Sequence, residues 1–268
     1  MPKEHGTNPT KSALLEGQTI PVAEINRTPS TFVVEAIALA GFSCVWIDTE
    51  HSHISLGDLS NLILAARTVD LDLVVRIAHG PYNQVVKPLE LGADGLIWPH
   101  CKSAEEARQF VHVAKFRPLG LRGMGGGRDS RFGREPKSEF LDRANQHTLL
   151  GVMIEDAEGV ENAEAIAAVE GIDLLFIGPG DLSHSYGIER EPNSRDHPRI
   201  LEAFDRVGAA CRENGKAMGT AVDPGESMGI AVEKGTKWLN CIHDMNALMN
   251  GYGDALRATQ NIIEATGN

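Results

Sequence analysis

The chain has 268 residues, 42% of them hydrophobic, enough to bury one full core; a single α/β barrel takes about 250 residues. A formal net charge of -12 argues against nucleic acid or an anionic membrane as partner, although a few local arginines could reverse the sign inside a pocket. Cys44, Cys101, Cys211 and Cys241 form no CxxC pair and no zinc-like pattern with histidine, so they read as buried thiols in a reducing cytoplasm. No apolar leader and no membrane-length apolar run is present, and a soluble cytoplasmic protein is expected.

In chain order, residues 1–17 are polar and read as a loose arm before a single domain over 18–268. Eight strand-like runs follow: Pro21–Asn26, Cys44–Asp48, Asp72–Ile77, Asp94–Trp98, Leu149–Glu155, Asp173–Gly178, Ala217–Ala221 and Trp238–Ile242. Several are continuously apolar, as parallel strands buried on both faces must be. Amphipathic stretches lie between them. Ser55 to Asp58 opens one helix, with Leu59, Leu62, Ile63 and Ala66 on one face. Ser103 and Glu106 have the spacing of a capping box, ahead of Ala107, Phe110, Val111 and Ala114. Leu201, Phe204, Val207 and Cys211 form a third stripe that Gly215 ends. This alternation predicts an α/β protein, a closed (β/α)8 TIM barrel.

One segment breaks the rhythm. Residues 120–145 carry Gly123, Gly125, Gly126 and Gly127 with Arg122, Arg128, Arg131, Arg134 and Arg143, and read as a long loop. The glycine run follows no strand, so a lid or a subunit contact is expected ahead of a phosphate cradle. The lysines matter by their positions. None ends a strand, and Lys216 and Lys237 precede theirs, so a Schiff-base aldolase is disfavoured and carbonyl chemistry would fall to a metal ion.

Strand ends hold the ionisable groups. Asp48, Glu50 and His51 close the second run. Asp48 and His51 could form an acid/base pair, or Asp48 could cap a turn beside a solvated imidazole. His53 and His100, near similar strand ends, read more readily as bystanders. Arg76 ends the third run, either as an oxyanion clamp or in a structural ion pair with Glu50 or Glu155. Glu155 ends the fifth run. Gly178-Pro179-Gly180-Asp181-Leu182-Ser183 follows the sixth, as an anion-receiving helix start or a plain turn capped by Asp181. Two carboxylates on neighbouring strands suit a hard divalent cation that leaves room for substrate and water.

Together, Ile47-Asp48-Thr49-Glu50-His51, Val75-Arg76, Gly92-Ala93-Asp94-Gly95, Pro118 to Gly123, Ile154-Glu155, Val169 to Asp173 and Gly178 to Ser183 resemble the HpcH/HpaI family of class II pyruvate aldolases, over residues 14–260. The resemblance implies a barrel whose last helix is exchanged between subunits of a homo-oligomer, a trimer or hexamer. It implies a divalent metal, Mg, Mn or Co, on Glu155 and Asp181. It implies proton transfer by His51 steered by Asp48, enolate stabilisation by Arg76, and a pyruvate carboxylate on the backbone N–H groups of Gly180 and Asp181. Two positions depart from the family pattern: Met153 stands where Gln is frequent, and Gly180 where Ala is usual. Asp156 and Glu158 add negative charge beside the proposed ligand.

The expected activity is cleavage or formation of a 4-hydroxy-2-oxo acid from pyruvate and an aldehyde. A divalent ion at the 2-oxo and carboxylate oxygens would stabilise the enolate, and a base would take the 4-hydroxyl proton. The alternatives are another fate of that enolate, such as oxaloacetate decarboxylation or carbon–carbon ligation, and a catalytically silent oxo-acid-binding barrel.

Overall fold

Eight parallel strands pair in sequence order and close on themselves. They are β1 (Ile20–Ile25), β2 (Cys44–Asp48), β3 (Asp72–Arg76), β4 (Gly95–Trp98), β5 (Leu149–Ile154), β6 (Leu174–Ile177), β7 (Ala217–Ala221) and β8 (Trp238–His243). These bounds come from a computed structural model that describes residues 6–191 and 194–266. Helices return the chain between strands, so the expected (β/α)8 barrel is the fold. Among the described residues no helix is long and apolar enough to cross a membrane.

The barrel interior is filled by side chains, not open. Trp46 on β2 meets the Phe176 ring on β6 edge-on at 4.7 Å and the Trp238 ring on β8 at 6.2 Å. Val22, Val74, Ile97, Met153 and Leu174 belong to the same inner cluster. The opposite faces of the strands pack under the helices in a second, larger core that includes Val45, Ile47, Leu62, Phe110, Leu175 and Phe204.

Local signals explain several helices. Ser55 Oγ accepts from Asp58 N–H at 3.2 Å while Asp58 answers Ser55 N–H at 2.9 Å, a full capping box at the start of Leu56–Thr68. Ser103 caps Ala104–Ala114 through Glu106 N–H, but the Glu106 carboxylate reaches Lys102 N–H at 2.7 Å instead of Ser103. The expected third helix is Pro198–Glu213, and Gly215 follows it at φ +64°.

Two expectations are corrected. The residues expected to form a loose arm include a helix, Pro9–Leu15, that closes the N-terminal end of the barrel. Its Leu14 is buried with the first residues of β1, β2, β5 and β7. Thr10 N–H donates to Asp72 at 2.7 Å, Asn8 Nδ2 donates to the Asp94 carbonyl at 2.8 Å, and Lys11 pairs with Asp173 at 3.0 Å. These partners lie far along the chain, so local polarity hides the docking.

The glycine- and arginine-rich segment is not one long loop either, since Lys137–His147 is helical. Three of its five arginines are spent internally, while Arg131 and Arg134 are exposed. Arg122 is buried against Asp129 and the Phe116 ring, Arg143 pairs with Glu135 at 2.7 Å, and Arg128 donates to the Leu91 carbonyl at 2.8 Å. Gly127 allows close approach to the helix Tyr82–Leu91, because a Cβ there would lie 2.5 Å from the Glu90 carbonyl oxygen. That packing, not phosphate, accounts for the glycine.

The final helix, Asp244–Ala265, leaves Leu248, Met249, Tyr252 and Leu256 exposed, and only Asp244 in it is buried.

Candidate active site

The strand register brings the site together. Asp48 and Arg76 are paired positions on β2 and β3. The guanidinium therefore meets the carboxylate in two parallel bonds, Nε to Oδ1 at 2.9 Å and Nη2 to Oδ2 at 2.6 Å. Both side chains are largely buried, at 1% and 12% exposure for Asp48 and Arg76. Burial alone would raise the Asp48 carboxyl, but the Arg76 bonds and charge hold it below its usual range. Burial likewise opposes the Arg76 charge, and Asp48 outweighs it, so Arg76 is held above its usual value.

This pairing changes the roles read for the second strand end. Both Asp48 oxygens are on Arg76, and what reaches His51 is its backbone: Asp48 Oδ1 also accepts the N–H of Glu50 at 2.9 Å and of His51 at 3.3 Å. The His51 ring instead lies nearest Glu50, with Nε2 3.7 Å from Oε2. Glu50 Oε2 is buried, stands 3.6 Å from Arg76 Nε, and accepts no hydrogen bond among the described residues. The ion pair anticipated for Arg76 thus forms with Asp48 first and Glu50 second.

Glu155 follows β5 directly, and Gly178 follows β6, whose last residue pairs with Ile154. A Cβ at Gly178 would stand 2.6 Å from Glu155 Oε2, so only glycine leaves that carboxylate its place. Glu155 is 2% exposed, and its Oε1 accepts His100 N–H at 2.9 Å. Burial raises its carboxyl; the His100 N–H and charge offset this, and the Asp181 charge adds to it. Asp181 lies in the first turn of Pro179–Ser185 and caps nothing: its carboxylate is exposed and accepts no hydrogen bond among the described residues.

A cavity of about 210 Å³ opens at this end of the barrel. Trp46, Met153 and Phe176 form its apolar floor, and Arg76, Glu155 and Asp181 face it. His51 and Gly180 also line it, so every residue expected at the site gathers here except Asp48, which sits behind Arg76. Met153 brings a thioether 3.9 Å from Arg76 Nη1.

Four participants were not expected. His100, read as a bystander, holds Glu155 through its backbone and reaches Asp156 through Nδ1 at 3.1 Å. Burial lowers its imidazole, but the Glu155 charge and the Asp156 bond win and raise it. Glu24 lines the cavity beside Asn240, whose Nδ2 donates to it at 2.7 Å. Arg195 reaches it from the turn before Pro198–Glu213. Glu24 was legible as a charge inside an apolar strand; Arg195 sits in a polar stretch with no pattern to mark it.

A match to the family model described as HpcH/HpaI aldolase/citrate lyase spans residues 28–250. The chain belongs to the HpcH/HpaI aldolase/citrate lyase family. A 2-keto-3-deoxy-L-rhamnonate aldolase of Salmonella gallinarum is 35% identical over 221 residues, covering 81% of this chain and 80% of that protein. A 4-hydroxy-4-methyl-2-oxoglutarate aldolase of Chaetomium globosum is 37% identical over 222 residues, covering 79% and 78%. A solved HpcH/HpaI family structure from Burkholderia cenocepacia superposes with a TM-score of 0.86 at 29% identity, over 95% of this chain and 100% of that one. The family membership makes this chain a carbon–carbon lyase of the aldolase type.

Proposed function

We propose that this aldolase cleaves a 4-hydroxy-2-oxo acid to pyruvate and an aldehyde, and runs the reverse addition, with a divalent cation on Glu155 and Asp181. The observation that carries the reading is the pair of carboxylates facing one cavity beside an ion-paired arginine. Among the described residues no three His, Cys, Asp or Glu side chains converge as a closed metal cage. Two carboxylates with open coordination positions fit Mg, Mn or Co, which accept oxygen ligands and retain water. Such an ion, held by Glu155 and Asp181, would supply the Lewis-acid charge that stabilises the enolate of the oxo acid.

The chain's own residues do the rest. Arg76 lines the cavity with Nη1 left free of Asp48, which fixes the plane of the guanidinium, so its charge is positioned before the substrate arrives. The developing enolate oxygen is its target. His51 receives the 4-hydroxyl proton as the carbon–carbon bond breaks, with Glu50 Oε2 3.7 Å from its Nε2. The N–H groups of Gly180 and Asp181 orient the oxo-acid carboxylate. Trp46, Met153 and Phe176 exclude water from the enolate.

The test is pyruvate release from a 4-hydroxy-2-oxo acid, read by coupled reduction of the pyruvate, with and without chelator. Release that chelator abolishes and divalent ion restores is expected. Full activity in metal-free protein removes the metal from the reading. Carbon dioxide from oxaloacetate with no aldol cleavage replaces it with a decarboxylase, and no turnover leaves a silent barrel.

A further inference from the structure

The reaction cavity shares a wall with a larger cavity of about 360 Å³ between β7 and the helices Pro198–Glu213 and Glu226–Glu233. Arg195, Pro179 and Ala221 line both. Of the lysines and arginines on either wall, Arg195 alone among the described residues has no carboxylate partner. Arg76 is committed to Asp48, and Lys234 in the larger cavity is 2.6 Å from Asp205. The backbone carrying Arg195 is nonetheless fixed. Ser227 Oγ donates to the neighbouring Asp196 at 2.7 Å, and His197 caps the next helix through Arg199 N–H at 3.2 Å while facing Glu191 at 3.3 Å.

Two placements say what this free cation faces. Its Nη2 stands 3.9 Å from where a Cβ on Gly180 would be, so the guanidinium lies against the bare face of the Gly180-Asp181 turn. It also lies across the barrel from the proton-transfer residues. In a closed eight-strand order β6 is diametrically opposite β2, and His51 follows β2 while the Gly180 turn follows β6. The aldehyde half of the substrate belongs with His51, so the group beside Arg195 is the oxo-acid carboxylate. With the divalent cation on Glu155 and Asp181, Glu24 is the wall carboxylate left to repel that anion, and Arg195 is the side-chain cation not already committed to a carboxylate that can receive it.

We propose that Arg195 is a substrate-binding residue that takes the carboxylate of the oxo acid alongside the Gly180 and Asp181 N–H groups. This rests on the aldolase reading above. An interaction present in both the ground state and the transition state changes KM more than kcat.

The experiment uses the full chain with Mn, comparing the parent with Arg195→Ala and Arg195→Lys. Three rates are followed against pyruvate concentration: exchange of pyruvate methyl protons into deuterated water without aldehyde, addition to butanal, and addition to glyoxylate. Arg195→Ala should raise the pyruvate KM roughly 10-fold in all three, the size of one charge-assisted hydrogen bond, with the loss falling on KM. Arg195→Lys should recover part of it, since it restores charge without the planar fork. An unchanged pyruvate KM overturns the proposal. So does a loss confined to glyoxylate, which would make Arg195 a reader of the aldehyde. A parent that neither exchanges protons nor adds either aldehyde marks a different failure, that of the aldolase reading itself, and the proposal falls with it.

Discussion

At the residue scale, the Arg76–Asp48 pair carries two loads that mutation can separate. Removing the guanidinium should cut turnover by about 10²–10³, as loss of one oxyanion donor does. It also strands Asp48, at 1% side-chain exposure, without its cation. Breaking a buried pair from one side costs about 3–5 kcal/mol, whereas replacing both partners is far milder. Arg76→Met should therefore lower both turnover and melting temperature, and adding Asp48→Asn should recover much of the melting temperature but none of the turnover. Calorimetry and steady-state kinetics on the two proteins read this out. Recovery of turnover in the double variant would show that Arg76 serves only to neutralise Asp48.

At the element scale, the last helix carries an apolar stripe that is exposed among the described residues. Leu248, Tyr252 and Leu256 recur at i, i+4 and i+8 and are exposed, as are Phe32 and Leu39 on the helix Thr31–Leu39. We propose that this stripe is covered by a second copy of the chain, in keeping with the exchanged helix expected from the sequence. Tyr252→Glu combined with Leu256→Glu should then convert an oligomer to monomers by light scattering; a monomeric parent would refute the exchange. The elements themselves were readable where burial is continuous. Parallel strands such as Cys44–Asp48 announce themselves by unbroken apolar runs, and Ser55 announces its helix by its cap. Pro9–Leu15 was not readable, because its anchors Asp72, Asp94 and Asp173 are distant in sequence. Lys137–His147 was masked by its small buried face of Phe140 and Ala144 among charges. At the site, Glu155 and Arg76 stood out as charges ending apolar strands, but the choice of Asp48's partner depends on strand register, which no local pattern encodes.

At the scale of the whole molecule, chemistry and closure occupy opposite ends of the barrel, and the closed end contains a lysine with an unusual burden. Lys115 is 1% exposed, and its Nζ donates to the carbonyls of Asn145 at 2.8 Å and Thr148 at 2.6 Å. Lys11 shares the Thr148 carbonyl at 3.2 Å. Burial, reinforced by the like charge of Lys11 and opposed by Asp173, pushes Lys115 from 10.5 down to about 7. Between those two values the unfolded chain holds a proton that the folded chain has released, so stability gains with rising pH across that window. Below about 7 both states are charged and the full cost of burying the charge stands. Lys115→Met removes this titration while keeping a long unbranched side chain. The stability of Lys115→Met relative to the parent should therefore be most favourable below pH 7 and decline steadily toward pH 10, read by urea denaturation across that range. A difference that does not change with pH over that interval would show that Lys115 keeps its proton in the folded barrel, held by the two carbonyls and Asp173.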